Sequence, residues 1–314
     1  MSVLRGLRWC LIACWLIACW LIAGAGLAVT AAAAPSSVLV LGRISDDPAS
    51  HYEQLKPLLD YVVPRMREVG IRRGEILMAP DARQMSSYLR RGRVDWVSET
   101  TGAAMLLEQR GSAHPLLMTE RGGLRDFHTV FFVRRDSSIQ SLSQLRGHTL
   151  ALQNASSTSG YLLPLLELLR NGIACDVLLS ADDTPARGSA GYLMVGSKLN
   201  VAAFVHKHLI DVGALSNVDW DDERHMPPVF KRDFRIVHRT APVPRAVEMV
   251  RAGMDPAVEQ RLRVVLLQAA SDPKAGPALK RFFDTTGFHP LDPASRRRLQ
   301  ELSAGVQRVR DHVE

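Results

Sequence analysis

Beyond residue 34 the sequence keeps one of its four cysteines, Cys175, so that part of the chain has no internal disulfide. Roughly 280 residues must then build their core by packing alone, which a chain of that size can do. Cys175 stands beside Ile173 and Val177 and reads as a small buried hydrophobe. Basic runs are as scarce. Arg296-Arg297-Arg298 falls on an expected surface helix and Arg72-Arg73 in a turn, so the footprint of a nucleic-acid binder is missing. No G-x-S-x-G elbow, no H-E-x-x-H and no G-x-x-x-x-G-K-[ST] occurs, and nothing requests an enzyme or a cofactor. His206-x-His208, His225 and the acidic run Asp219 to Glu223 are the nearest approach to a metal set. Side chains at i and i+2 diverge on a helix, so this is no preformed chelate and no metal is expected.

Residues 1–34 carry Arg5 and Arg8, no acid, and an apolar run from Trp9 into Thr30-Ala31-Ala32-Ala33-Ala34. This is the pattern of an export signal, with cleavage expected after Ala31 or Ala33, and its length also suits an uncleaved anchor. Leu16-Ile17-Ala18-Cys19 fits a lipoprotein box superficially, but fifteen further apolar or small residues follow it. Setting aside Arg5 and Arg8 lowers the formal charge from +7 to +5, a modest positive field suited to a small anionic ligand.

From Ser36 onward strands and helices alternate, which means α/β. Strands are expected at VLVLGRIS, EILMAP, VDWVSE and HPLLMTE, with intervening helices that include one capped by Asp81 and one with Leu55, Leu58, Leu59, Val62 and Met66 on a single face. A second set follows: the strands TVFFVRR and HTLALQ, a helix from Gly160 to Gly172, the strand CDVLLS, a helix near Ala186 to Gly196, the strand NVAAFV and the helix HKHLIDVG. FRIVHRT, AVEMVRAG and three closing helices complete the chain, the last with Leu299, Leu302, Val306 and Val309 as a stripe packed on the first lobe. Two lobes joined by two crossings fit this order. Residues 35–133 would begin lobe one, 134–238 would form lobe two, and 239–314 would return to lobe one.

The richest segment is Thr129 to Pro164, where Ser156-Ser157-Thr158-Ser159-Gly160 opens a helix after a buried strand. The first turn of a helix leaves N–H donors unpaired and carries positive partial charge, so an oxyanion held there also meets hydroxyls. The alternative is an ordinary N-cap, in which Ser157 or Ser156 accepts from its own helix. Ligands of open parallel sheets sit outside the carboxyl ends of strands, which adds Ser45 and the stretch Ser98 to Thr101.

The run VRRDSSIQSLSQLRGHTLALQNASSTSGYLLP, from Val133 to Pro164, resembles the central segment of the phosphate, phosphite and phosphonate substrate-binding proteins of ABC transporters. VLVLGRIS, RGRVDWVSET, KLNVAAF, APVPRAVEMVRAGMDPAVEQRLRVVLL and TTGFHPLD agree with the family's layout, in order, over nearly the whole exported chain. The resemblance implies a type II periplasmic binding fold, two lobes each with a mostly parallel sheet flanked by helices, and the ligand in the cleft between them. It implies that Ser157, Thr158 and Ser159 hold phosphoryl oxygens, and the strand ends would let Ser45 and Thr100 or Thr101 meet them from lobe one. Glu99 fits an anion site only if protonated, set against a ligand hydroxyl or cation, or used as a hinge residue. The family's strand-end carboxylates are matched here by Val205-His206-Lys207-His208, and a cationic loop would favour a ligand without an amine. The expectation is therefore a monomeric periplasmic protein that captures a small phosphorus oxyanion for an ABC permease. Reporting to a membrane sensor, or turnover of a phosphorylated metabolite in the same cleft, are the alternatives.

Overall fold

A computed structural model describes residues 37–313, so the expected export segment, residues 1–34, lies outside the described residues. The first strand, β1 (Val38–Ile44), leads into α1 (Pro48–Val62), which starts where Asp47 accepts from Ser50 N at 3.2 Å. Its apolar face continues through a 3-10 turn to Met66 and is buried, as the spacing predicts. Then come β2 (Arg73–Ala79), α2 (Ala82–Arg90), β3 (Trp96–Thr100), α3 (Thr101–Gln109) and β4 (Ala113–Arg121). Asp81 caps α2 by accepting from Gln84 N at 2.8 Å.

The chain crosses over through β5 (Asp126–Phe127) and builds β6 (Thr129–Arg134), β7 (Thr149–Leu152), α4 (Leu163–Arg170), β8 (Cys175–Val177), β9 (Ala190–Met194), α5 (Lys198–His206) and β10 (Val212–Ser216). Two short helices, α6 (Asn217–Asp221) and α7 (Pro228–Lys231), precede β11 (Phe234–Arg239). The return runs through β12 (Val243–Pro244), β13 (Ala246–Arg251), α8 (Pro256–Ala269), α9 (Gly276–Arg281), β14 (Thr285–His289) and α10 (Pro293–Val313). Six strands in the order β14-β4-β13-β3-β1-β2 form the first sheet, and six in the order β11-β6-β10-β7-β9-β8 the second. In each, the central strands run parallel and the returning strands antiparallel. β5 and β12 pair antiparallel as the double crossing.

Three expectations need correction. Lobe two alternates out of step with the sequence reading: residues 190–194 are a strand, NVAAFV lies in helix α5, and HKHLIDVG is a turn leading into β10. Ser197 settles the middle element, because its hydroxyl accepts from Asn200 N at 3.1 Å and the buried Val201, Ala202 and Val205 recur at helical spacing. TVFFVR pairs on both sides within the second sheet, so the first crossing falls at residues 126–128 rather than at 133. TTGFH forms β14, an edge strand of the first sheet. Helix α10 packs on both lobes: Gln109 Nε2 donates to Ser303 O at 2.7 Å, and Arg308 donates to Leu169 O at 3.1 Å. Leu166 presses so close to Gly305 that an added Cβ would stand 2.5 Å from its Cδ2. Cys175 is half-buried, and burial pushes its thiol up to about 12.

Candidate functional site

Strand β7 delivers the chain to a tight loop at its carboxyl end. Ser156 N donates to Asn154 Oδ1 at 3.1 Å, and Ser157 Oγ accepts from Gly160 N at 3.0 Å while donating to Gln153 Oε1 at 3.0 Å. Ser157 is thus an N-cap whose hydroxyl is committed to its own loop. The first turn, Thr158–Leu162, is a π turn that runs directly into α4. Thr129 Oγ1 donates to Ser159 O at 2.8 Å and fixes this turn against β6.

Thr158 faces the other lobe. Its Oγ1 accepts from Gly102 N at 2.9 Å and donates to Thr100 Oγ1 at 2.9 Å. Gly102 is required for that approach, since a Cβ there would stand 2.7 Å from both Thr158 Oγ1 and Leu162 Cδ1. The acceptor role of Thr100 leaves its own hydroxyl proton to donate onward, and Thr100 is the half-exposed member of the trio. At the lip, Asn154 Nδ2 donates to Asp46 Oδ2 at 3.1 Å, a second bond from lobe to lobe. Thr101 is fully buried and donates to Pro244 O at 2.6 Å, which ties α3 to the return crossing rather than opening a donor to the cleft.

On lobe one, Ser45 Oγ lies 2.6 Å from His51 Nδ1 and accepts from Asp47 N at 3.1 Å. Burial, and then the Arg43 charge, lower His51 to about 4, so the ring is neutral. Glu99 is buried, accepts from Ile44 N at 2.6 Å and lies 3.9 Å from Arg43 Nη1. It braces the carboxyl ends of β1 and β3 together. Burial drives its carboxyl upward while Arg43, Ile44 N and Arg121 oppose.

Sequence reasoning missed the charges on this edge. Arg43 Nη1 donates to Ser98 O at 2.7 Å and Arg121 Nη2 to Ser98 Oγ at 2.9 Å, and both guanidiniums lie over the Phe283 ring, at 4.3 and 4.5 Å from its centroid. Glu248 is fully buried and accepts from Trp96 Nε1, Ser98 Oγ and Thr119 Oγ1 at 2.6, 2.8 and 2.7 Å. Burial raises this carboxyl against the pull of Arg121; burial, and then Arg43, push Arg121 down to about 9. One local signal exists: alternation along β1 puts Arg43 on the face of Leu39 and Leu41, and an arginine in that register is buried.

His206 is not brought to this edge. It ends α5, stacks on Phe230 at 4.3 Å, and sits 3.1 Å from Asp233. Arg134, at the far end of β6, donates to its carbonyl at 3.1 Å, whereas Thr129 at the near end holds Ser159. The loop Val205 to His208 is therefore at the opposite end of the second sheet, and the argument against a ligand amine built on it falls. The strand end at the same end of the sheet as the Thr158 turn is Ser216-Asn217 of β10 and α6. There Ser216 Oγ donates to Asp219 at 2.6 Å and Asn217 Oδ1 accepts from His128 N at 3.0 Å. Against its own burial, Asp219 is held below the usual carboxylate range by His225, Lys198 and Ser216.

The family model described as ABC transporter, phosphonate, periplasmic substrate-binding protein matches residues 42–295. XAC2383 from Xanthomonas citri, solved bound to chloride ion, is 97% identical, with 88% of this chain and 100% of that one covered and a TM-score of 0.88. Its ATP-bound structure gives 96% identity, 89% and 100% coverage and a TM-score of 0.87. A binding protein component of an ABC phosphonate transporter from Pseudomonas aeruginosa is 18% identical, covers 87% of each chain and has a TM-score of 0.66. PhnD1 from Prochlorococcus marinus, in complex with methylphosphonate, is 15% identical over 86% of this chain and 98% of that one, with a TM-score of 0.65. These last two show the fold alone, the type II periplasmic binding fold. With its two-lobed architecture and a family match over most of its length, the chain belongs to the periplasmic substrate-binding proteins of the phosphonate ABC-transporter family.

Proposed function

We propose that this protein captures a phosphorus oxyanion, either free phosphate, phosphite or phosphonate or the phosphoryl end of a larger molecule, between its lobes and presents the closed form to an ABC permease. The observation that carries this is the hydrogen-bonded run from Gly102 N–H through the Thr158 hydroxyl to Thr100 Oγ1. Each donor polarises the next, so the run ends in a strengthened O–H aimed out of Thr100. Ser159, at the start of the α4 helix, adds a hydroxyl from lobe two where backbone N–H groups lie near the positive end of the helix. Thr158 itself acts through Thr100. Its proton is given away, so it meets a ligand only by surrendering that bond.

Such a site is built to close. Ligand contacts on both lobes exist only when Thr158 and Thr100 are together, so a bound oxyanion favours the closed arrangement by its differential affinity. The two bound states solved for XAC2383, chloride and ATP, are both anions, and the second carries phosphoryl groups. That agrees with an anion cleft that accepts a phosphoryl end.

Calorimetry of the full chain against phosphate, phosphite, methylphosphonate, sulfate and ATP tests the reading. At a hundred times its dissociation constant, the true ligand raises stability by about 2.7 kcal/mol, visible as a higher melting temperature. Thr158→Val keeps the shape and removes the relay, and should weaken the phosphorus ligand by on the order of 1.5 kcal/mol. An unchanged affinity would remove the relay from the site. ATP recovered intact after binding is the expected outcome, and steady release of phosphate would replace the binding protein with an enzyme.

A further inference from the structure

Beside the crossings lies a cavity that shares no residue with the cleft edges described above. Its walls are the flank of α4 on lobe two, the return crossing from Thr240 to Pro244, and the first turns of α10. It encloses about 520 Å³ of space, part of it open to solvent, within the roughly 300 to 1,000 Å³ usual for small-molecule sites. The floor is apolar: Leu163, Leu166 and Leu302 are buried there, with Val243 and Pro244 beside them.

Four charged side chains stand around that floor, and two are already committed. Glu167 Oε1 lies 2.8 Å from His238 Nε2, and Arg298 donates to Asp126 Oδ1 at 2.8 Å. Arg170, on α4, and Glu301, on α10, make no hydrogen bond or ion pair among the described residues. Opposite charges on two walls of one cavity join directly when they meet, and these two stand apart. The cavity thus has a cationic handle on one wall, an anionic handle on another and an apolar floor. A lone anion would be repelled by Glu301 and a lone cation by Arg170, whereas a molecule carrying both charges satisfies both walls.

We propose that this cavity is a second ligand site, for a small zwitterion with an aliphatic body. Its anionic group pairs with Arg170, its ammonium with Glu301, and its apolar part lies on Leu163, Leu166 and Leu302. The site is placed to act on the cleft through α4. That helix runs on directly from the turn that carries Thr158, and its 8 residues span about 12 Å, so the cleft lies at its start and the cavity along its flank. The other two walls are tied to the hinge. Arg298 holds Asp126 of β5, β5 pairs with β12, and Thr240 Oγ1 accepts from Thr129 N at 3.0 Å. A zwitterion that bridges α4 and α10 fixes α4 against the crossings, and with it the Thr158 turn, whichever anion the cleft holds.

Calorimetric titration of the full chain with L-leucine and its isomer ε-aminocaproate tests the site. Both are zwitterions of the same composition, one with its charges close together and the other with them at opposite ends. At least one should bind, with a single site per chain. Isovalerate and isoamylamine, which carry one charge each, should bind at least about tenfold more weakly. Arg170→Gln and Glu301→Gln should each weaken the zwitterion at least about tenfold. Both side chains are exposed, so the two variants should keep the melting temperature of the unmodified chain. No binding of either zwitterion overturns the site, as does binding that both variants leave unchanged. Hydrogen exchange read by mass spectrometry tests the coupling: bound zwitterion should slow exchange of the amides from Thr158 to Arg170. Binding without added protection at the Thr158 turn would overturn the coupling through α4.

Discussion

The two lobes present their carboxyl edges to one cleft but hold them in different ways. On lobe two the edge is made mainly of hydroxyls and backbone groups, with one buried ion: Ser157 caps, Thr129 grips Ser159 O, and Asp219 is held by Ser216, Lys198 and His225. On lobe one it is made of buried ions: Arg43, Glu99, Arg121 and Glu248, joined through Ser98, Thr119 and Trp96. Hydrogen-bonded neutral dipoles cost less to bury than charges, and the loss of one member leaves a smaller penalty behind. Buried charges cost several kcal/mol each to desolvate, so removal of one partner strands the other. Lobe one, with four such ions against one, is therefore the brittle side of the cleft.

The largest expected effect tests that contrast directly. Glu248→Gln preserves volume but removes the charge that faces Arg121 and one of the acceptor positions for Trp96, Ser98 and Thr119. It should lower stability by about 3 to 5 kcal/mol. The matched change on lobe two, Ser157→Ala, deletes an N-cap and should cost about 1 kcal/mol. Urea denaturation of both variants reads the two values. Equal losses would mean that lobe one is no more dependent on its charges than lobe two is on its caps.

Legibility in the sequence divides along the same line. The hydroxyl edge could be read because its residues are contiguous, Ser156 to Gly160, and follow a strand that the apolar run betrays. The ionic edge is assembled from positions 43, 99, 121, 248 and 283, brought together only when β13 inserts between β3 and β4 and β14 closes the sheet. No local pattern encodes that, beyond the alternation that buries Arg43. Secondary structure failed where the chain offered short apolar runs without length to separate helix from strand. Val201 to Val205 looks like a buried strand, yet the cap at Ser197 turns it into α5 and throws the next two elements out of step. That slip also misplaced His206, since a residue taken for a strand end turned out to close a helix at the far side of the sheet. The first lobe escaped because Asp47 and Asp81, with longer amphipathic stretches, mark its helices.

A smaller change can break the meeting of the edges without touching either ion cluster. Gly102→Ala drives a methyl to within 2.7 Å of Thr158 Oγ1 and Leu162 Cδ1. The lobes must part there or the α4 turn must shift, and overpacking of this kind costs about 1 to 3 kcal/mol. Because the clash lies between lobes, the expected signature is a larger radius of gyration in small-angle scattering and weaker ligand binding. Unchanged scattering with full binding would show that the Gly102–Thr158 contact does not govern closure.

The subtlest test uses protons. His51 bonds Ser45 on lobe one, and burial, with the Arg43 charge, holds its folded value at about 4, below the ordinary 6.5. The ring is neutral when folded at pH 6, whereas the unfolded chain begins to take up a proton below 6.5. Acidification thus stabilises the unfolded state first, so the His51 contribution to stability is intact above 6.5, declines as the pH falls toward 4, and changes no further below that. Burial lowers His128 as well, at the crossing between the lobes, so the whole protein should weaken over part of this window for two reasons. The difference between the unmodified chain and His51→Asn isolates the lobe-one share. Melting temperatures from pH 7 to pH 5, above the range where carboxylates dominate, should decline less steeply in the variant. Parallel declines would mean that neither burial nor the Arg43 charge holds His51 below its ordinary value in the folded protein.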